Sequence, residues 1–169
     1  MERNEFEGAV RQHKDRVHSH AAWMLHGLDD ARDVAQEALL KLWVHRDKVQ
    51  ARTAGPWLLR TTHNLCIDRL RRRRVRPQVD PERLDTMIDC DSPDPSRSAE
   101  ATELGRMIAT ALRSLSPRDR SAVLMREVHG MTYEEIATAI DAPLGTIKSV
   151  IHRSRERLRR ALTVAGVTP

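Results

Sequence analysis

The stretch from Pro77 to Arg97 cannot hold a core. Residues 77–100 carry four prolines, Pro77, Pro81, Pro93 and Pro95, and seven Asp/Glu against two Lys/Arg. Proline blocks a continuous helix, and so polar a run buries too little apolar surface to offset its chain entropy. Any fold must therefore be built from the flanking stretches, 1–76 and 98–169. Aromatics make up 3% of the 169 residues, thin for one large core and easier to reconcile with two small helical ones. Residues 77–97 are expected to lack fixed secondary structure, so trypsin should cut there first, at Arg83 or Arg97.

Charge divides the same way. Residues 1–76 hold 16 Lys/Arg against 10 Asp/Glu, and residues 101–169 hold 11 against 7. Two basic blocks around an acidic connector suit two contacts with a polyanion such as nucleic acid, although a merely soluble basic surface has the same composition. Cys66 and Cys90 are too few and too separated for a disulfide framework or a zinc site, and a reduced, cytosolic setting fits them. No apolar run is long enough to span a bilayer, and none resembles a leader peptide. His13, His18, His20 and His26 match no standard ligand spacing and are expected to be ordinary surface histidines, so neither a metal nor a cofactor is expected.

Helical periodicity recurs in both blocks, with no convincing strand and no internal repeat. The first helix should run from about Asn4 to Leu25, with Phe6, Val10, Val17, Ala21 and Leu25 on one side and Gly27 after it. Asp29 and Asp30 suit the N-cap of a second helix, DVAQEALLKLWVH. A third, WLLRTTHNLCIDRL, should start near Pro56 and end in RRRRVRP. Beyond the acidic stretch, Ala101, Leu104, Ile108, Ala111, Leu112 and Leu115 form the next apolar stripe. Ser116-Pro117-Arg118-Asp119 then combines a capping serine, a first-turn proline and an acid, and the helix it opens should stop at Gly130. Thr132 and Glu135 form a capping-box pair.

The last two helices, TYEEIATAI and LGTIKSVIHRSRERLRR, are joined by about four turn residues and match a helix-turn-helix. Ile147, Ile151, Ser154 and Leu158 share one side of the second helix, whereas Lys148, Ser149, His152 and Arg153 lie away from it. In such motifs the second helix enters the major groove, and side chains of these types pair with base edges. Arg155, Arg157, Arg159 and Arg160 can reach phosphates. The alternative is a surface helix with an arbitrary basic face.

Two further faces emerge in the N-terminal block. On the second helix Val34, Ala35, Ala38, Leu39 and Leu42 point inward, leaving Asp33, Gln36, Glu37 and Leu40 together outside. An exposed leucine ringed by acids and an amide suits a protein-binding face, or else a solvated acidic helix with a stray leucine. On the third helix Leu58, Thr62, Leu65, Cys66 and Leu70 make the core side, and Trp57, Arg60, Thr61, Asn64, Asp68 and Arg71 line the other. That stripe could stack on and hydrogen-bond unpaired bases, with Arg71–Arg74 holding the backbone. Trp57 could equally be a core anchor between the second and third helices.

Taken together, the chain resembles an extracytoplasmic-function sigma factor of the sigma-70 family. DARDVAQEALLKLW is similar to region 2.2, WLLRTTHNLCIDRLRRRR to regions 2.3 and 2.4, and the segment from LSPRDRS to RERLRR to region 4. The resemblance implies an all-α fold of two small helical domains, region 2 at 1–76 and region 4 with its helix-turn-helix at 98–169, joined by the acidic proline-rich linker at 77–97. It implies a non-enzymatic specificity subunit that binds core RNA polymerase and promoter DNA and has no membrane span. Asp33, Gln36, Glu37 and Leu40 would meet the β′ clamp helices, and region 4 the β flap. Trp57, Arg60, Thr61, Asn64, Asp68, Arg71 and Arg72 would read the melted −10 strand, Asn64 lining the pocket for a flipped base. Lys148, Ser149, His152, Arg153, Arg155 and Arg157 would read the −35 duplex. Many family members have an anti-sigma partner.

Two departures stand out. Val150 occupies a position where the family usually has arginine, and Asp141 replaces a common turn glycine, where aspartate tolerates the left-handed conformation. A LuxR-type transcription regulator would share EIATAI and TIKS but predicts no polymerase-binding helix. A helical adaptor would leave the arginine run and the region-4 face without a role.

Overall fold

The computed structural model describes residues 1–25, 27–75 and 103–164. They form seven α-helices, with no strand among them: α1 (Arg3–Leu25), α2 (Leu28–Val44), α3 (Ala54–Val75), α4 (Glu103–Arg113), α5 (Pro117–Val123), α6 (Tyr133–Ile140) and α7 (Leu144–Val164). A 3-10 turn, Ala51–Thr53, leads into α3, and a π turn, Leu124–Val128, prolongs α5. The all-helical expectation holds. The linker expected at 77–97, with its cleavage points Arg83 and Arg97, lies outside the described residues, as do His26, Cys90 and Ala101.

Helices α1, α2 and α3 pack around Val17, Ala35, Ala38, Leu42, Ala54 and Leu58. The many alanines replace aromatic bulk by close approach of the helix backbones. Gly55 shows how close: a Cβ there would sit 3.0 Å from the His13 ring. The second core joins α5, α6 and α7 through Met125, Met131, Ile136, Ile140, Ile147 and Ile151.

Caps set several boundaries. The Ser116 hydroxyl accepts from the Asp119 amide with Pro117 in the first turn. Thr132 and Glu135 form a reciprocal capping box at 3.1 and 2.8 Å. Replacing Thr132 by Ala should cost about 1 kcal/mol, read as a lower urea midpoint with an unchanged slope. Gly130 adopts φ +67° after the π turn, and Asp141 adopts φ 55° at the end of α6. Asp141 thus fills the left-handed position expected of it, and the Arg118 guanidinium donates to its carbonyl and to that of Ile140, both at 2.9 Å.

Three expectations need correction. Asp29 and Asp30 are not N-caps; Gly27 is, and the two acids lie in the first turn of α2. There they complement the helix dipole, and Asp30 pairs with Arg69 at 2.9 Å and with Arg73. Leu104 is 46% exposed, while Gly105, Ala109, Ala111 and Leu112 are the buried positions of α4. The rest of the expected stripe holds, with Ala111, Leu112 and Leu115 buried and Ile108 packed on the core. His13 and His20 are buried in α1 rather than on the surface.

The blocks also share a core. Ala21, Met24, Leu25, Ala31, Val34 and Cys66 pack with Leu112, Leu115, Val123 and Leu124. Leu59 of α3 is sunk among the α5–α7 residues, a burial worth about 1.5–3 kcal/mol. Burial pushes the Cys66 thiol up to about 12, against the opposing pull of Arg69.

Polar contacts cross the same boundary. Ser121 Oγ lies 3.0 Å from His20 Nε2 and 2.8 Å from His63 Nδ1. Arg16 donates to the His129 carbonyl at 2.7 Å. Arg120 is 5% exposed, and its guanidinium donates to the carbonyls of Met24, Leu112, Arg113 and Leu115 at 3.0–3.3 Å.

Candidate nucleic-acid and protein interfaces

The outward face of α2 is formed as expected. Asp33, Gln36, Glu37 and Leu40 are all exposed, Leu40 to 65%. Asp33 approaches Arg69 at 4.0 Å, and Glu37 pairs with Lys41 at 3.6 Å across one turn. Such exposed pairs contribute little to stability, which leaves these carboxylates available to a partner. The apolar centre is wider than Leu40 alone. Trp43 is 38% exposed and Val44 70% exposed, three and four residues beyond Leu40 and so on adjoining surface. Phe6 meets the Trp43 ring edge-on at 4.9 Å, and Arg46 covers that ring at 4.3 Å. Sequence reasoning missed both residues, although their spacing from Leu40 was the available signal.

The stripe on α3 divides into two parts. Arg60, Asn64, Asp68, Arg71 and Arg72 are exposed. At 100° per residue, all seven residues expected there fall within an arc of about 120°. Trp57 and Thr61, however, are half-buried. Trp57 packs against the α1–α3 core with its ring 5.8 Å from His45, and the Thr61 hydroxyl donates to the Trp57 carbonyl at 2.9 Å. Trp57 is therefore first a core anchor, with one edge left at the surface. Within the arginine run, Arg73 turns back to Asp30 and to the Leu25 carbonyl, so it braces α3 against the α1–α2 junction.

On α7, Lys148, Ser149, His152 and Arg153 line one shallow concavity. Ile147, Ile151 and Ser154 are buried behind it. The Ser149 hydroxyl donates to Gly145 at 3.0 Å and keeps acceptor capacity facing outward. Val150 is half-buried against the α5–α7 core; apolar packing occupies the place of the family's usual arginine. Arg157 is exposed. Arg155 is exposed and pairs with Glu127 of the π turn at 2.6 Å, and that hydrogen bond raises its already high pKa. It clamps α7 to the end of α5. Arg159 likewise pairs with Glu156 at 2.7 Å.

Comparisons with known proteins identify the family. Residues 9–76 match the model for sigma-70 region 2, and residues 105–158 match that for sigma-70 region 4. The ECF RNA polymerase sigma factor SigE of Mycolicibacterium smegmatis is 38% identical over 151 residues, covering 89% of this chain and 58% of that protein. SigW of Bacillus subtilis is 30% identical over 165 residues, covering 93% and 88%, and SigL of Mycobacterium tuberculosis is 34% identical over 141 residues, covering 82% and 77%. Among solved structures, the sigma factor RpoE crystallised with the anti-sigma factor NepR from Bartonella quintana has the same fold. Its TM-score is 0.75 at 24% identity, over 94% of this chain and 97% of that one. The chain belongs to the sigma-70 family, among its ECF RNA polymerase sigma factors. It spans little more than half the length of the Mycolicibacterium relative.

Proposed function

We propose that this chain is an alternative sigma factor that binds core RNA polymerase and directs it to promoters by reading −35 as duplex and −10 as melted strand. One observation carries this reading: three exposed faces lie in family order on α2, α3 and α7, each backed by a buried stripe. Region 2 would occupy 1–76, the linker 77–97 and region 4 98–169. RNA synthesis stays with the polymerase, and this chain contributes recognition rather than catalysis.

The α7 concavity would enter the −35 major groove, with Lys148, Ser149, His152 and Arg153 at base edges and Arg157 on a phosphate. Arg155, exposed and paired with Glu127 in the free chain, would exchange that partner for a −35 phosphate. On α3, Asn64 would hydrogen-bond a flipped −10 base while Arg60, Arg71 and Arg72 hold the strand. Unstacking costs a few kcal/mol, and the half-buried Trp57 offers only an edge to offset it. Melting power should be modest, and promoters should need good matches at both elements. The α2 face would dock on the β′ clamp helices, and region 4 would meet the β flap. An anti-sigma factor would have to compete for the same faces.

The test is transcription by purified core polymerase with this chain as the sole sigma. A LuxR-type regulator or an adaptor would leave core polymerase undirected. Within that assay, Arg153→Ala should cost about 1–3 kcal/mol and relax preference only at −35. Asn64→Ala should relax one −10 position, and its defect should shrink on a template already mismatched there. Arg157→Ala should weaken binding across sequences and flatten its salt dependence. A −35 change from Asn64→Ala, or a −10 change from Arg153→Ala, would overturn the assignment of these two faces.

A further inference from the structure

The two blocks meet across a cluster of imidazoles. His20 on α1 and His63 on α3 flank Ser121 of α5, and the ring of His129, after the π turn, lies 5.3 Å from that of His20. His20 Nδ1 and His129 Nε2 are buried without a hydrogen-bond partner. An unpaired ring nitrogen is tolerable as a bare lone pair and far more costly as a buried N–H of a cation. The geometry therefore selects one arrangement of protons: His20 Nε2–H donates to Ser121 Oγ, whose hydroxyl proton goes to His63 Nδ1. That chain requires His63 to be neutral, because its Nδ1 must accept.

The surrounding charges oppose protonation as well. Arg16 of α1 bears on His129, Arg118 of α5 on His63, and the imidazoles bear on one another. Arg120, also from α5, bridges to the Met24 carbonyl of α1. Cations thus converge on this seam from α1 and α5.

We propose that the Ser121-centred histidine cluster is a latch holding the two blocks closed in the free protein, and that acidification releases it while each block stays helical. The consequence for promoters rests on the function proposed above; the latch itself does not. Elements named −35 and −10 lie about 25 base pairs apart, roughly 85 Å of duplex at ~3.4 Å per step, whereas a globule of this size is about 40 Å across. The closed form cannot engage both, so the latch governs how much of the chain is ready to act.

Burial lowers His63 and His129 to about 4 and holds His20 well below the usual imidazole value. In the open form these rings regain values near 6.5. A depressed pKa in the closed state means that its stabilisation is complete above pH ~6.5 and is lost as pH falls toward ~4. Between pH 7.5 and pH 5.0 the open-to-closed ratio should rise roughly thirtyfold for each of His63 and His129, and about 700-fold for both.

The experiment is small-angle X-ray scattering of the full chain from pH 7.5 to 5.0, with far-UV circular dichroism on the same samples and no polymerase or DNA present. The radius of gyration should grow with acid while helicity is retained, and a His20→Gln/His63→Gln/His129→Gln variant, with no titrating ring left at the seam, should show no change of radius with pH. Ser121→Ala, which removes the central hydroxyl, should be expanded already at pH 7.5 and decides the matter if the triple variant does not fold. A constant radius, expansion accompanied by loss of helicity, a triple variant that opens like the parent, or a compact Ser121→Ala chain would each overturn the latch. None of these outcomes bears on whether the chain directs transcription.

Discussion

A Glu37→Lys/Leu40→Asp chain is expected to lose about 2–4 kcal/mol of affinity for core polymerase, roughly 30- to 1,000-fold, with unchanged helicity. Leu40 is 65% exposed and has no part in the buried cores, so the free protein should tolerate the change. In a complex, the same leucine with Trp43 and Val44 beside it makes an apolar centre, and Asp33, Gln36 and Glu37 make its polar rim. Sealing Leu40 is worth about 1.5–3 kcal/mol. A reversed rim charge adds repulsion if the partner surface is basic. The measurement is a binding titration against core polymerase, with circular dichroism as the control. Unchanged affinity would remove α2 from the polymerase interface.

Arg120→Met should have the largest effect on folding, a loss of about 3 kcal/mol in a denaturant melt. The guanidinium collects carbonyls from α1, from α4 and from the turn after it. Methionine fills similar space but leaves those acceptors without a donor in a buried seam, where each costs about 1–3 kcal/mol unless water reaches it. The cost of desolvating the arginine, visible in its lowered pKa, offsets part of that sum. Three kcal/mol is a large share of the 5–15 typical of a domain. A loss below about 1 kcal/mol would mean that the carbonyl cluster is incidental.

What could be read from the sequence was whatever repeats at short range. The caps at Ser116 and Thr132, the left-handed Asp141 and the buried stripes of α2, α3 and α7 all depend on residues within a turn or two of one another. The three candidate faces followed as the complements of those stripes. Long-range polar contacts leave no such trace. The pairing of Arg155 could not be read because its partner, Glu127, stands 28 residues earlier. Ser121 sits 101 residues from His20 and 58 from His63, and nothing in any of the three neighbourhoods announces the others. Trp57 could be read two ways because a half-buried tryptophan belongs to both a core and a surface. Asp29 and Asp30 were misplaced by a turn because an acid favours the cap and the first turn alike.

Cys66 turns the shared core into a chemical clock. Its thiol, pushed up to about 12, is ionised in only about one molecule in 10⁵ at pH 7, and alkylating reagents attack the thiolate. Labelling can advance only during excursions that wet the seam between the blocks. In a chain whose Cys90 is replaced by serine, the alkylation rate divided by that of a free thiol gives the fraction of time the seam stands open. A reagent added at the bench would then count how often the two halves of this protein part.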